Sequence, residues 1–585
     1  MPQLGTKLIN IPNILIQVMK KILQIILTAF LSLSFLILLS CNSKNKTPSN
    51  DIIKSMDLKT GDVVLCGPPD KQFGSVEFTN SCSGNIKKDF HLAIALLHSF
   101  EYDEAEKVFA KIIDEDPQCA MAYWGVAMSN YHLLWTPPSG AELKKGSKAI
   151  EIAQGLNTKS TLETAYINAA AELYKDWSNR DHKTRCNNYE KAMEKIHVSY
   201  PNDKEVAILY ALALNASADP TDSTFKNQKK AGDILNAIYS NEPNHPGAVH
   251  YIIHTYDNPE LAQFALPAAR KYASVAPSSA HALHMPSHIF IRLGLWDEAI
   301  HSNRTSVSSA KCYAEETGIK GHWDEELHGL DYLMYAHLQK GENDLAKEQL
   351  DYLKTIKHVS PATFKVAYAF AAIPSRYVLE NKMWENAASL VVEPANFQWK
   401  DFPWQNAIIH FTRVLGSVHI GHIDSARTEL GILKSIYDTL VQQKDSYKAS
   451  QVQIQIKASE AWILFKEGKN KDALKLMNEA ADMEDNIQKH PVTPGEVIPA
   501  RELLGDMLLQ MNQPEKALEA YEADLKKRPN RFNGQYGAAL AAERSNNPGK
   551  SGTYYQQLLR FSNSKSSNRP ELKKASMFLK TRSIT

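Results

Sequence analysis

The chain of 585 residues is expected to fold as an all-α solenoid of stacked helix–turn–helix pairs. Three observations predict this. The length exceeds what one hydrophobic core sustains, so an array or several domains is needed. A spaced pattern recurs: Ala105, Phe109 and Pro117 lie at the same offsets as Ala517, Tyr521 and Pro529. Helical period flanks these marks, as in Phe90, Ile94 and Leu97, with Asn, Asp, Gly and Pro between the helices.

The elements follow in order. Met19-Lys20-Lys21 is a basic start, Ile22 to Leu39 is mostly apolar, and Leu38-Leu39-Ser40-Cys41 closes the run. This resembles the lipobox of bacterial lipoproteins, which implies a signal peptide over 1–41, starting at Met19, and lipid on Cys41. An uncleaved membrane helix is the alternative, because the run could nearly span a bilayer. Residues 42–62 are a polar tether, and lipid chains would hold the body at a membrane with no spanning helix in the mature protein. Asn42 favours the outer membrane over the inner one, by resemblance to other lipoproteins. The body is therefore expected in the cell envelope, where disulfides persist.

Residues 63–85 are a cysteine-containing lead-in without helical period. Val63 to Leu65 and Val76 to Phe78 are its candidate strands. Cys66, Cys82 and Cys119 are the candidate disulfide residues, as Cys66–Cys82 or Cys82–Cys119. Helix pairs then run over 86–356 and 357–580. Partial copies of the spaced pattern recur at Ala299, at Ala346 with Leu350, and at Ala473 with Met477.

Small Ala early in a second helix, an aromatic or Leu one turn later and a terminal Pro resemble the tetratricopeptide repeat. In that unit the Ala admits the first helix closely, the large residue fills the gap, and Pro ends the pair. Cys119 to Gly125, His281 to Phe290 and Leu96 to Phe100 resemble signatures of a bacterial tetratricopeptide-repeat family of unassigned function. That likeness covers about residues 72–350 and implies a fold but no reaction.

Histidine is the unusual feature. Ten of the 20 histidines fall between His245 and His337. His250 and His254 are one helical turn apart, as are His284 and His288, with His281 three before His284. His328 and Asp331 follow in the next unit. If these sets lie on the first helices of successive units, they converge on the concave face. A groove of His250, His254, His284, His288, His328 and Arg292 is then expected to bind a protein or peptide. The same side chains, His250, His254, His284, His288, His328 and Asp331, are also a candidate metal set, with zinc or iron as the ions. The spacing is like that of H-E-x-x-H, but residue 251 is Tyr and residue 285 is Met, so the general base of a zinc protease is missing. Asp257, Asp324, Glu325 and Glu326 are the acids nearby. Arg292 is suited to a partner carboxylate or to a local acid such as Asp297 or Glu298. Trp124 and Trp296 read as repeat packing, and Trp135, in a Pro-rich loop, as a contact residue.

The composition excludes some classes. Net charge is +1, which supplies no global attraction to nucleic acid. No phosphate-binding loop, dinucleotide fingerprint, G-x-S-x-G or haem attachment motif is present, and no catalytic residue is assigned. The sequence therefore favours a membrane-anchored protein-binding scaffold, with a metal-binding or metal-dependent protein as the alternative and no nucleic-acid partner.

Overall fold

The structure, a computed structural model, describes residues 2, 18–22 and 47–582, apart from 68–72, 135–136, 158, 220–221 and 563–566. Residues 23–46, with most of the signal peptide and Cys41, and Trp135 lie outside these residues. The rest is a succession of antiparallel helix pairs, from Lys87–His98 with Tyr102–Glu115 to Phe532–Arg544 with Pro548–Phe561. The spaced Ala residues sit early in second helices, and Ala105, Ala299, Ala346, Ala473 and Ala517 are all fully buried. No described helix is long and apolar enough to cross a membrane.

The repeat pattern packs as its chemistry requires. A Cβ built on Gly125 would lie 2.3 Å from the Phe109 ring, and one on Gly537 would lie 2.3 Å from Tyr521. Tyr521 cannot swing aside, because its hydroxyl donates to Asp506 Oδ1 at 2.7 Å. Gly537→Ala is therefore expected to destabilise the C-terminal repeats by about 1–3 kcal/mol through overpacking. Urea unfolding followed by circular dichroism checks this.

The described residues of the lead-in form no paired strand, contrary to the sequence expectation. Its backbone groups are taken by side chains and loops instead: Val64 N donates to Glu104 Oε2 at 2.9 Å and Ser75 N to the Asn244 carbonyl at 3.0 Å. Phe78 inserts among Phe90, Trp124 and Tyr166, with ring centroids 5.5–5.7 Å away. Among the described residues, the only strand pairing is a two-residue parallel contact of His322–Trp323 with Val359–Ser360.

The lead-in is tied down by two disulfides, Cys82–Cys119 and Cys66–Cys312. The Cys66–Cys82 alternative is thus corrected. Cys66 runs along the helix Trp296–Glu316, where Ser309 Oγ donates to its carbonyl at 3.0 Å. Cys66 and Cys312 are 246 residues apart. By chain entropy, closing a loop of that length stabilises by about 5 kcal/mol. Cys312→Ser is expected to cost most of that in urea unfolding under oxidising conditions, with no added effect of reductant on this bridge.

The superhelix closes on itself. Lys87–His98 packs against Pro246–Thr255, and Phe532–Arg544 reaches Asp324–Gln339. Arg531, fully buried, donates to Glu502, Glu380 and Tyr335. The segment between Asn470–Asp485 and Ala500–Gln510 turns inward and offers carbonyls to the inner helices. Tyr332 OH donates to Val492 O at 3.0 Å, and Tyr368 OH to Gly495 O at 2.8 Å. Arg376 donates to Gly495 O and Glu496 O at 2.6 and 3.0 Å. The inserted segment occupies part of the concave interior.

Candidate metal centre

First helices of three successive pairs supply the histidines. Pro246–Thr255 begins with Pro at its first turn, where the missing N–H costs nothing. Ala280–His284 is followed at once by Pro286–Arg292, so Pro286 marks a fresh first turn. Asp324–Gln339 completes the set. Two groups of three imidazoles result: His250 with His254 and His281, and His284 with His288 and His328.

Within the first group, His250 Nε2 lies 3.0 Å from His254 Nε2 and 3.2 Å from His281 Nε2. In the second, His284 Nε2 lies 3.0 Å from His288 Nε2, and the His328 ring stands 4.2 Å from that of His284. These spacings approach the edge of roughly 3.3 Å for a tetrahedron of nitrogens at about 2.0–2.1 Å from one ion.

The second group's tautomers follow from its surroundings. Asn303 Nδ2 donates to the Ala299 carbonyl at 2.8 Å, so Asn303 Oδ1 must accept from His284 Nδ1 at 2.6 Å. His288 Nδ1 donates to Asp257 Oδ2 at 3.1 Å. Tyr332, 3.3 Å from His288 Nε2, spends its one proton on Val492 O. Both Nε2 atoms therefore present lone pairs to each other at 3.0 Å. Two lone pairs at that distance repel unless a cation shares them. His250 is oriented alike, its Nδ1 donating to the His98 carbonyl at 2.6 Å. Such outer contacts fix the ring and tautomer of metal-bound histidine.

Burial keeps these imidazoles neutral. It brings His250 down to about 3. His254, His281, His284 and His328 are pushed well below the usual histidine range by burial and then mainly by neighbouring imidazoles and lysines. His288 is lowered by burial against the opposing pull of Asp257. Burial alone would raise the Asp257 carboxyl, but Lys489, Arg292 and His288 outweigh it and hold the group ionised. Neutral imidazole is the form that ligates metal.

Several expectations need correction. The histidines do not line an open groove: His250 is 0% exposed, His284 1%, His288 3% and His328 7%, because the closed superhelix and the inserted segment cover them. Asp331 joins neither group. One helical turn from His328, it faces Arg376 instead, 3.3 Å from its Nε. Arg292 does not present itself to a partner carboxylate and pairs with neither Asp297 nor Glu298. It donates to Asp257 Oδ1 at 2.9 Å, and so supports His288 indirectly. Trp124 and Trp296 are buried packing residues.

Sequence reasoning left His281 out of the ligand set and missed His98, Asn303 and Lys489. His281 carried a signal, one helical turn before His284. The other three contribute from distant elements and carried none. A third group, His98 with Glu205 and His245, is a closed polar network. His245 Nδ1 accepts from Ala248 N, so its Nε2 donates to Glu205 Oε1 at 2.9 Å. His98 Nε2 meets Glu205 Oε2 at 2.9 Å, and its Nδ1 meets Tyr251 OH at 2.9 Å. That network holds the His98 carbonyl that orients His250.

Residues 503–566 match the tetratricopeptide repeat model. The chain is an all-α solenoid of tetratricopeptide-like repeats. No curated protein matches the chain. Among solved structures, the human IFIT1 dimer with m7Gppp-AAAA is similar at 11% identity and a TM-score of 0.30, covering 80% of this chain and 94% of that one. The P58(IPK) TPR domain is similar at 15% identity and a TM-score of 0.20, over 65% and 99%. Naa15/Naa10 bound to HypK-THB is similar at 12% identity and a TM-score of 0.23, over 86% and 92%.

Proposed function

We propose that this chain is an exported, lipid-anchored repeat protein whose interior binds metal through two groups of three histidines. The carrying observation is the His284–His288 pair, two lone pairs held 3.0 Å apart with both outer nitrogens already committed to donation. The repeat architecture and the tetratricopeptide match support a protein-interaction scaffold as the general class. The metal sites are what this scaffold carries inside. Three imidazoles per ion leave coordination positions open, as in catalytic rather than structural sites.

The ligand chemistry suits zinc or copper, and iron less well, since iron sites of this kind usually add a carboxylate. The test is elemental analysis of the chain purified without chelator or histidine tag. A bound transition metal in stoichiometric amount is the expected result. Folded, metal-free protein that takes up none on addition of zinc, copper or iron overturns the proposal.

The Leu38-to-Cys41 pattern, the polar tether and the disulfides of the body support the envelope location. Mass spectrometry is expected to find a mature chain that begins at Cys41 and carries lipid on its thiol. A membrane-bound chain that keeps residues 19–40 contradicts the lipid anchor.

A further inference from the structure

The two histidine groups adjoin. His281 of the first and His284 of the second share the five-residue helix Ala280–His284. His254 of the first faces His288 of the second, with ring centroids 6.4 Å apart. We infer that the six histidines form one dinuclear copper centre that takes dioxygen between its ions. This rests on the metal-binding reading above and goes beyond it in naming the ion, the pairing and the ligand.

Charge selects the ion. The six ligands are neutral, and no carboxylate or thiolate joins either group. The carboxylate hydrogen-bonded to a ligand, Asp257, already serves His288, Arg292 and Lys489. Two divalent ions would bring four positive charges into this interior, and uncompensated buried charge is costly. Two cuprous ions bring half as many. Dinuclear iron and manganese sites in helical proteins balance their charge with glutamates, which are lacking here. Imidazole is a ligand that suits copper.

The walls select the ligand. Phe100 lies 4.5 Å from the His250 ring, 5.5 Å from His254 and 5.7 Å from His281, centroid to centroid. Tyr332 closes the other side, 4.5 Å from His284 and 5.3 Å from His288. His254 and His281 alone of the six keep an intermediate share of their surface accessible. A small neutral molecule can reach ions held between these rings without stranding a desolvated charge, which an ionic substrate cannot. The electron count closes. Each cuprous ion gives one electron to dioxygen, which becomes a bridging dianion reduced by two electrons. Both ions become cupric, no proton is consumed, and the reverse transfer releases dioxygen.

The test uses the full-length chain in detergent, stripped of metal and loaded with cuprous ion under nitrogen. Two coppers per chain are expected. Admitting air should then produce an intense near-ultraviolet absorption band with no cupric signal in electron paramagnetic resonance, because the two spins couple. His254→Gln and His328→Gln, one from each group, should each halve the copper content and abolish the band. If copper binds two per chain and the oxygen-dependent band does not appear, the dioxygen inference is overturned while the metal reading stands. Stronger retention of zinc than of cuprous ion in direct competition overturns the choice of copper alone. A chain that binds no metal overturns both.

Discussion

Replacing His284 and His288 together by alanine is expected to halve the metal-to-chain ratio and to abolish most of the stabilisation that metal provides to this part of the fold. The structure presents their two lone pairs to one point, and His328 alone cannot hold an ion there. A ligand present at a hundred to a thousand times its dissociation constant stabilises by about 3–4 kcal/mol. Stripping metal from the natural chain should therefore lower its unfolding free energy by that order per site. The variant should respond to stripping about half as strongly. Paired thermal melts with and without chelator, alongside elemental analysis, check both parts.

Arg531→Met is expected to destabilise the chain by about 3–5 kcal/mol, the cost of removing one partner from a buried ion cluster. Arg531 is 0% exposed. Its Nη2 donates to Glu380 Oε1 at 2.7 Å, its Nε to Glu502 Oε2 at 3.0 Å, and its Nη1 to Tyr335 OH at 3.1 Å. Without the guanidinium, two buried carboxylates are left facing each other. Burial already brings Glu502 up to about 7. Adding Glu380→Gln and Glu502→Gln should restore part of the loss, because amides can remain buried without charge. Tyr335 belongs to Asp324–Gln339, which also carries His328. The single variant should thus weaken metal retention as well as stability. Equilibrium unfolding in urea, followed by metal analysis of the folded fraction, measures both effects.

The helix pairs were legible because their marks are local. An Ala, an aromatic four residues on and a Pro after the helix lie within one unit, so spacing alone recovers them. The histidine spacing was legible for the same reason: His250 with His254, and His284 with His288, must share a face wherever their helices go. What spacing does not carry is the position of that face in the whole. The inner surface of a solenoid is open when its path is wide, and here the path closes through Arg531 and the carbonyls of Val492, Gly495 and Glu496. These contacts join residues more than a hundred apart. Asp331 shows the same limit at close range. It lies three residues from His328, yet Arg376 from the next inner helix claims its carboxylate. The Cys66–Cys312 bridge and the Asn303 contact to His284 likewise depend on which helices pack together, and no local pattern signals them.

The most direct measurement is anomalous X-ray diffraction at the absorption edges of copper and zinc, from crystals of chain purified without chelator. The expected map has two peaks. One is surrounded by His250, His254 and His281, the other by His284, His288 and His328, with Nε2 atoms about 2.0–2.1 Å away. A well-ordered, metal-replete chain with no peak at either position, or with these six rings turned apart, would contradict the account.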